Sequence, residues 1–239
     1  MMKKVIGLLL TCLFAGVVWP CMAQVDISGS GPDMQVKYRM QVMTGSDKQV
    51  QLEMQMNMFY AKDPGLSRIE TLMQNPLIGD IKMVVLGDLK KPERTTLLDE
   101  KNKQYAYVDL SKSQDSKTGE TYSTRVLGEE QVGGLNCTRV EVSDSQGGKF
   151  EFWVSRDIEG YEALMSLYEA LQQSRDNGMW QALKEAGVNG GIVRLKTRQM
   201  GADTVMDLVS LKRDTLPQSL FLIPEGYTEA EEGLLPGMP

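Results

Sequence analysis

The chain has 239 residues, 26 lysines and arginines against 32 aspartates and glutamates for a formal charge of −6, and no histidine. Without histidine there is no Ser-His-Asp or Cys-His catalysis, and the commonest protein ligand of zinc and copper is missing. An acidic surface repels phosphate backbones, so no nucleic-acid partner is expected.

The first 23 residues read as an export signal. Lys3 and Lys4 lead, residues 5–18 are apolar, and Cys21, Met22 and Ala23 form a small-x-small cleavage site. The apolar stretch is broken by Thr11, Cys12 and Gly16 and closed by Pro20. It is shorter than the roughly 20 residues that span a bilayer. Cleavage after Ala23, a periplasmic destination and no transmembrane segment in the exported chain are therefore expected. A lipid anchor at Cys21 is the lesser alternative, because Val18, Trp19 and Pro20 lack the small residue such an anchor wants before its cysteine. Cleavage removes Lys3, Lys4, Cys12 and Cys21. What remains is more acidic still, and Cys137, its one cysteine, has no internal disulfide partner.

Next come two stripes in which apolar and polar residues alternate. Met34, Val36, Tyr38, Met40 and Val42 form one, and Leu52, Met54, Met56, Met58 and Tyr60 the other. Alternation with period two puts each set on one face of a strand. The turn at 61–65, with Pro64 and Gly65, leads to a strand at 67–73. Further strands are expected at 81–86, 95–98 and 104–110, the last two joined by the polar loop 99–103. Residues 111–120 are polar and read as a solvated connection.

Strands resume at 122–127, 137–142 and 150–154. Gly133 and Gly134 turn the chain between the first two, and Phe150, Phe152 and Val154 share a face of the third. Over about 160–187 the period becomes helical, with Leu164, Leu167, Leu171, Trp180 and Leu183 on the apolar side. Packing against the sheet is the simpler reading of that helical insertion, and a lid hinged at Asn177 and Gly178 is the sharper one. Strands at 192–200 and 204–211 follow, and 229–239 reads as a flexible acidic and Gly/Pro-rich tail. Residues 24–228 are expected to form a single mainly antiparallel β domain (α+β), a curled sheet or half-open barrel with the helical insertion packed on one face.

Three segments carry a resemblance. VLGEEQVGGLNCTRVEV at 126–142, FWVSRD at 152–157 and SLFLIPEGY at 219–227 resemble the strand pair, its continuation and the closing segment of an exported bacterial family, the domain of unknown function 4412. That family is placed near the superfamily of periplasmic lipoprotein carriers and related lipid-binding proteins. The resemblance implies a half-open antiparallel barrel around a hydrophobic cavity, and a habit of binding acyl chains. The arginine-based switch of those carriers transfers to no residue here.

The methionine stripes have three readings. They are packed core, or the lining for a lipid or other apolar ligand, or a thioether site for Cu(I) or Ag(I). Met54, Met56 and Met58 recur at about 7 Å along one strand, wide for a single ion without sulfur from neighbouring strands. Cys137, in an alternating strand, reads as a small buried hydrophobe. The Gly-Gly pairs lack phosphate-loop spacing, and no signature selects a catalytic carboxylate pair.

The expectation is an exported non-catalytic binding protein without a cofactor or a metal. It would hold a lipid, an acyl chain or an envelope component on a concave face of Val36, Tyr38, Met40, Met54, Met56 and Met58, with Leu164, Leu167 and Trp180 from the helical insertion. An envelope protein-interaction module with a solid core is the alternative, and a methionine-based Cu(I)/Ag(I) chaperone a lesser one.

Overall fold

The alternating runs become one sheet. The computed structural model describes residues 24–45, 47–75, 79–91, 94–109, 121–158, 178–199 and 201–230. The expected export signal with Cys21, residues 110–120, most of the expected helical insertion (including Leu164 and Leu167) and residues from 231 onward lie outside the described residues.

Strands β1 (Asp26–Gly29), β2 (Asp33–Thr44), β3 (Gln49–Ala61), β4 (Leu66–Asn75), β5 (Gly79–Asp88), β6 (Arg94–Asp99) and β7 (Gln104–Asp109) form the first half. The second half holds β8 (Tyr122–Val132), β9 (Leu135–Asp144), β10 (Lys149–Ser155), helix α1 (Gly178–Glu185), β11 (Gly191–Gln199), β12 (Ala202–Asp214) and β13 (Thr228–Glu229). A 3-10 turn, Gln218–Phe221, precedes β13. The spatial order is β13-β7-β6-β5-β4-β3-β2-β12-β11-β10-β9-β8, with β1 beside β12. All pairings are antiparallel except β1 with β12 and β13 with β7. The two halves therefore join at the long-range β2–β12 pair, and the sheet stays unclosed.

The sheet curls. Val25, which leads into β1 beside β12, donates its backbone N–H to the carbonyl of Gly133 at 3.0 Å, although β8 and β9 lie at the far end of the strand order. Gly133 holds a positive φ of 58°, and a Cβ there would run into the Val25 side chain, so this close approach needs glycine. One core fills the inside of the curl, joining Val36, Tyr38, Met58, Cys137, Val140, Phe152, Leu208 and Leu211 to Trp180 and Leu183 of α1. The Trp180 and Phe152 rings meet at 6.0 Å, tilted by 59°. Deep in this core the Tyr38 hydroxyl donates to the Ile192 carbonyl at 2.9 Å, so its one polar atom is satisfied across β12.

A smaller core lies on the outer face of β5–β7. Val84, Leu86 and Leu98 are covered there by Tyr105, Ile223 and Tyr227. The closing segment, expected to end in a tail beyond residue 228, instead straps this face: Thr228 and Glu229 pair with β7, and the Ala230 N–H reaches the Tyr105 carbonyl at 2.8 Å. The unpaired edge of β7 offers backbone groups that this acidic segment completes. Arg68, almost fully buried, anchors the strap: it bonds the Leu220 carbonyl at 3.3 Å, Glu70 at 2.6 Å and Glu100 at 3.3 Å.

Asp33, at the start of β2, is also buried. One carboxylate oxygen accepts from Lys62 N at 3.1 Å, the other from Leu216 N at 2.9 Å. It thereby joins the β3–β4 turn to the strap. Asp33→Ala leaves both N–H groups without this partner and is expected to lower unfolding free energy by about 2 kcal/mol. Asp63→Ala, in the same turn but exposed, should change it by less than about 0.5 kcal/mol. Urea denaturation of the two variants checks the contrast.

Candidate functional site

Strand register brings the two methionine stripes onto one surface. Met40 lies opposite Met54 and Val36 opposite Met58 in the β2–β3 pair. The row continues on both sides, because Met206 of β12 faces Met40, Met73 of β4 faces Met54, and Ile81 of β5 faces Met73. Met206, Met40, Met54, Met73 and Ile81 thus form one row across five strands, roughly 19 Å at the usual strand spacing. The adjacent row runs Leu208, Tyr38, Met56, Thr71 and Met83.

Burial falls along these rows. Met206 is 8% exposed, Met40, Met54 and Met73 are half-buried, and Ile81 is 42% exposed. In the second row Leu208 and Tyr38 are sealed, Met56 is half-buried and Met83 is 43% exposed. An apolar strip therefore leaves the packed core near β12 and reaches solvent at β5.

The nine residues singled out in the sequence divide accordingly. Val36, Tyr38 and Met58 are closed core, each 1% exposed. Met40, Met54 and Met56 sit together on the half-buried part of the same face. Trp180 is buried against Phe152 at the β8–β11 end, and Leu164 and Leu167 lie outside the described residues. Met73, Met83, Ile81 and Met206 complete the strip but escaped the sequence reading. Their phase within each strand was visible, whereas which strands lie side by side is decided by pairing.

The opposite face is charged. Trp153 is buried there beneath Arg139, Arg194 and Lys196, whose charged groups lie 5.1, 5.8 and 5.0 Å from the ring, and its indole N–H donates to Glu130 at 2.9 Å. Arg139 pairs with Glu151 and Arg194 with Asp207, both at 2.7 Å. Burial, then the neighbouring Arg194, lowers the pKa of Lys196. A cleft of about 430 Å³ opens beside it, lined by Met43, Lys48, Glu141, Lys149 and Asp203 among others. The lining mixes both signs.

Cys137 is fully buried, and its thiol contacts the Leu135 carbonyl at 3.5 Å. Burial pushes its pKa up to about 12. A backbone contact from Val132 opposes that shift, and the carboxylates of Asp157, Glu130 and Glu129 add to it. A thiol so protonated at neutral pH is a poor nucleophile. Among the described residues no group of three or more His, Cys, Asp or Glu side chains is placed to hold a metal ion. None of their helices is long and apolar enough to cross a membrane.

The family described as Domain of unknown function (DUF4412) matches residues 37–227. No curated protein matches the chain. Among solved structures it is similar to an uncharacterized conserved protein from Thermus thermophilus, at 11% identity and TM-score 0.47, covering 81% of this chain and 89% of that one. It is also similar to the Pseudomonas aeruginosa MucA/MucB complex structure, at 14% identity and TM-score 0.41, covering 80% and 55%. A third likeness is to a beta-barrel-like protein of the DUF1849 domain of unknown function from Brucella abortus, at 7% identity and TM-score 0.33, covering 77% and 99%.

The thiol makes a pH prediction. An unfolded cysteine ionises near pH 8.5, and the folded Cys137 near 12. Between these values the folded state holds a proton that the unfolded state has lost, so stability is full below about pH 8.5 and declines as pH rises toward 12. The urea midpoint should therefore fall more steeply between about pH 8.5 and 10.5 for the natural chain than for Cys137→Ala.

Proposed function

The chain belongs to the DUF4412 family, and from that premise we propose that it is an exported, non-catalytic protein that binds an apolar ligand, a lipid or acyl chain, on its methionine-rich inner face. The family has no assigned function, so the reading rests on geometry. The observation that carries it is the strip from Met206 to Ile81, continuous with the core at one end and open to water at the other. An acyl chain laid along it would extend the core's own burial, at about 25 cal/mol for each Å² of apolar surface removed from water. Methionine suits such a role, because its unbranched thioether chain repacks around varied shapes at little cost.

The periplasm is the proposed site of action, supported by the export signal expected at residues 1–23. Catalysis is not part of the proposal. The one cysteine beyond the signal is held protonated, there is no histidine, and the charged face is ion-paired. The closed packing of Val36, Tyr38 and Met58 favours one further reading, an envelope protein-interaction module whose stripes are core and whose exposed edge meets a protein.

Titration with a fluorescent fatty acid separates the two. Met54→Glu/Met73→Glu places carboxylates in the half-buried part of the strip, and the apolar-ligand reading expects at least tenfold weaker probe binding with folding retained, seen as unchanged circular dichroism. Binding within twofold of the natural chain would contradict it.

A further inference from the structure

We propose that Met40, Met54 and Met73 form a thioether site for a soft monovalent cation, Cu(I) or Ag(I). Three same-face methionines along one strand span about 14 Å, too far for one ion. Across strands the geometry differs. Met40 faces Met54 and Met54 faces Met73, and directly opposite residues hold their Cβ atoms about 4.5–5.5 Å apart. A trigonal site with metal–sulfur bonds of roughly 2.3 Å, the zinc–thiolate length, separates its sulfurs by about 4 Å. Met40 and Met73, two strands and roughly 9.6 Å apart, reach toward Met54 between them, and three rotatable bonds in each side chain supply the reach.

Burial suits access as well. Met58, 1% exposed, is sealed in the core, whereas Met40, Met54 and Met73 are half-buried, with Met206 beside Met40 as a fourth sulfur deeper in the row.

The surroundings select the ion. Side chains sharing this face on β2–β5, among them Val42, Leu52, Met56, Thr71 and Met83, carry no charge, while Arg39, Glu53 and Lys82 alternate to the other face. Among the described residues of β2–β5, no ammonium or guanidinium on this face repels a cation, and no carboxylate recruits calcium, magnesium or zinc. Neutral thioethers in an apolar setting favour Cu(I) and Ag(I) over harder ions. This goes beyond the apolar-ligand reading and does not depend on it.

The test is titration of the purified protein with Ag(I), followed by native mass spectrometry and by NMR of ¹³C-labelled methionine methyls. That second readout is blind to silver held by thiols. The expected result is one ion that shifts the methyls of Met40, Met54 and Met73 and leaves Met43, which lines the charged cleft. Met54→Leu and Met73→Leu, which keep the apolar surface and remove a sulfur, should each weaken binding at least tenfold. Met43→Leu should match the natural chain. Silver that leaves those three methyls unshifted, or affinities for both leucine variants within twofold of the natural chain, would overturn the site. Fatty-acid binding should stay within twofold in Met54→Leu, so loss of the metal site and loss of the apolar-ligand reading register separately.

Discussion

The register of four neighbouring strands, β12, β2, β3 and β4, governs everything on the inner face. Side chains alternate with period two, so a slip of one residue in any of these pairs would turn a methionine stripe outward and bring Arg39, Gln41 or Glu53 into the core. The penalty for burying those groups unpaired far exceeds what any single methionine contributes. Polar alternates thus guard the register as strictly as the apolar residues reward it. Bulges preserve it where the sequence breaks phase. Leu208 and Leu211 are three residues apart, yet they face Tyr38 and Val36 on one surface, because the β2–β12 pairing shifts between Leu208 and Ser210 and leaves Val209 exposed.

That register creates a face that is solid at one end and open at the other. Helix α1 fills the curl over β8 and β9, placing Trp180 and Leu183 in the main core. The closing strap spends its apolar residues, Ile223 and Tyr227, on the outer face of β5–β7, and so leaves the inner face of β4 and β5 alone. Exposed Ile81 and Met83 follow from that division. An apolar strip continuous with a core marks a recognition surface more clearly than scattered exposed residues do.

Much of this was legible in the sequence. The strands from β2 to β12, the turn at Gly133 and Gly134, the placement of Phe152 opposite Trp153 and the burial of Cys137 all follow from local alternation and turn chemistry, whereas short β1 was not read. What stayed hidden is non-local. Nothing within 204–211 announces that β12 pairs with β2, or that a bulge at Val209 swaps its phase, so Met206 and Leu211 could not be assigned to the methionine face. Only the end of the strap, Glu229 and Ala230, was read as tail, because its pairing partner, the edge of β7, lies more than a hundred residues earlier. Val36, Tyr38 and Met58 show the converse limit. Period two identifies a face, but it does not say which part of that face another element will cover.

Native mass spectrometry of the protein isolated from its native host tests the central claim most directly, that the inner face takes an apolar ligand. The expected result is an adduct with the mass of one lipid or acyl chain per protein, which organic extraction removes and Met54→Glu/Met73→Glu abolishes. A bare chain in gentle conditions, with no adduct regained on incubation with envelope lipids, would contradict it.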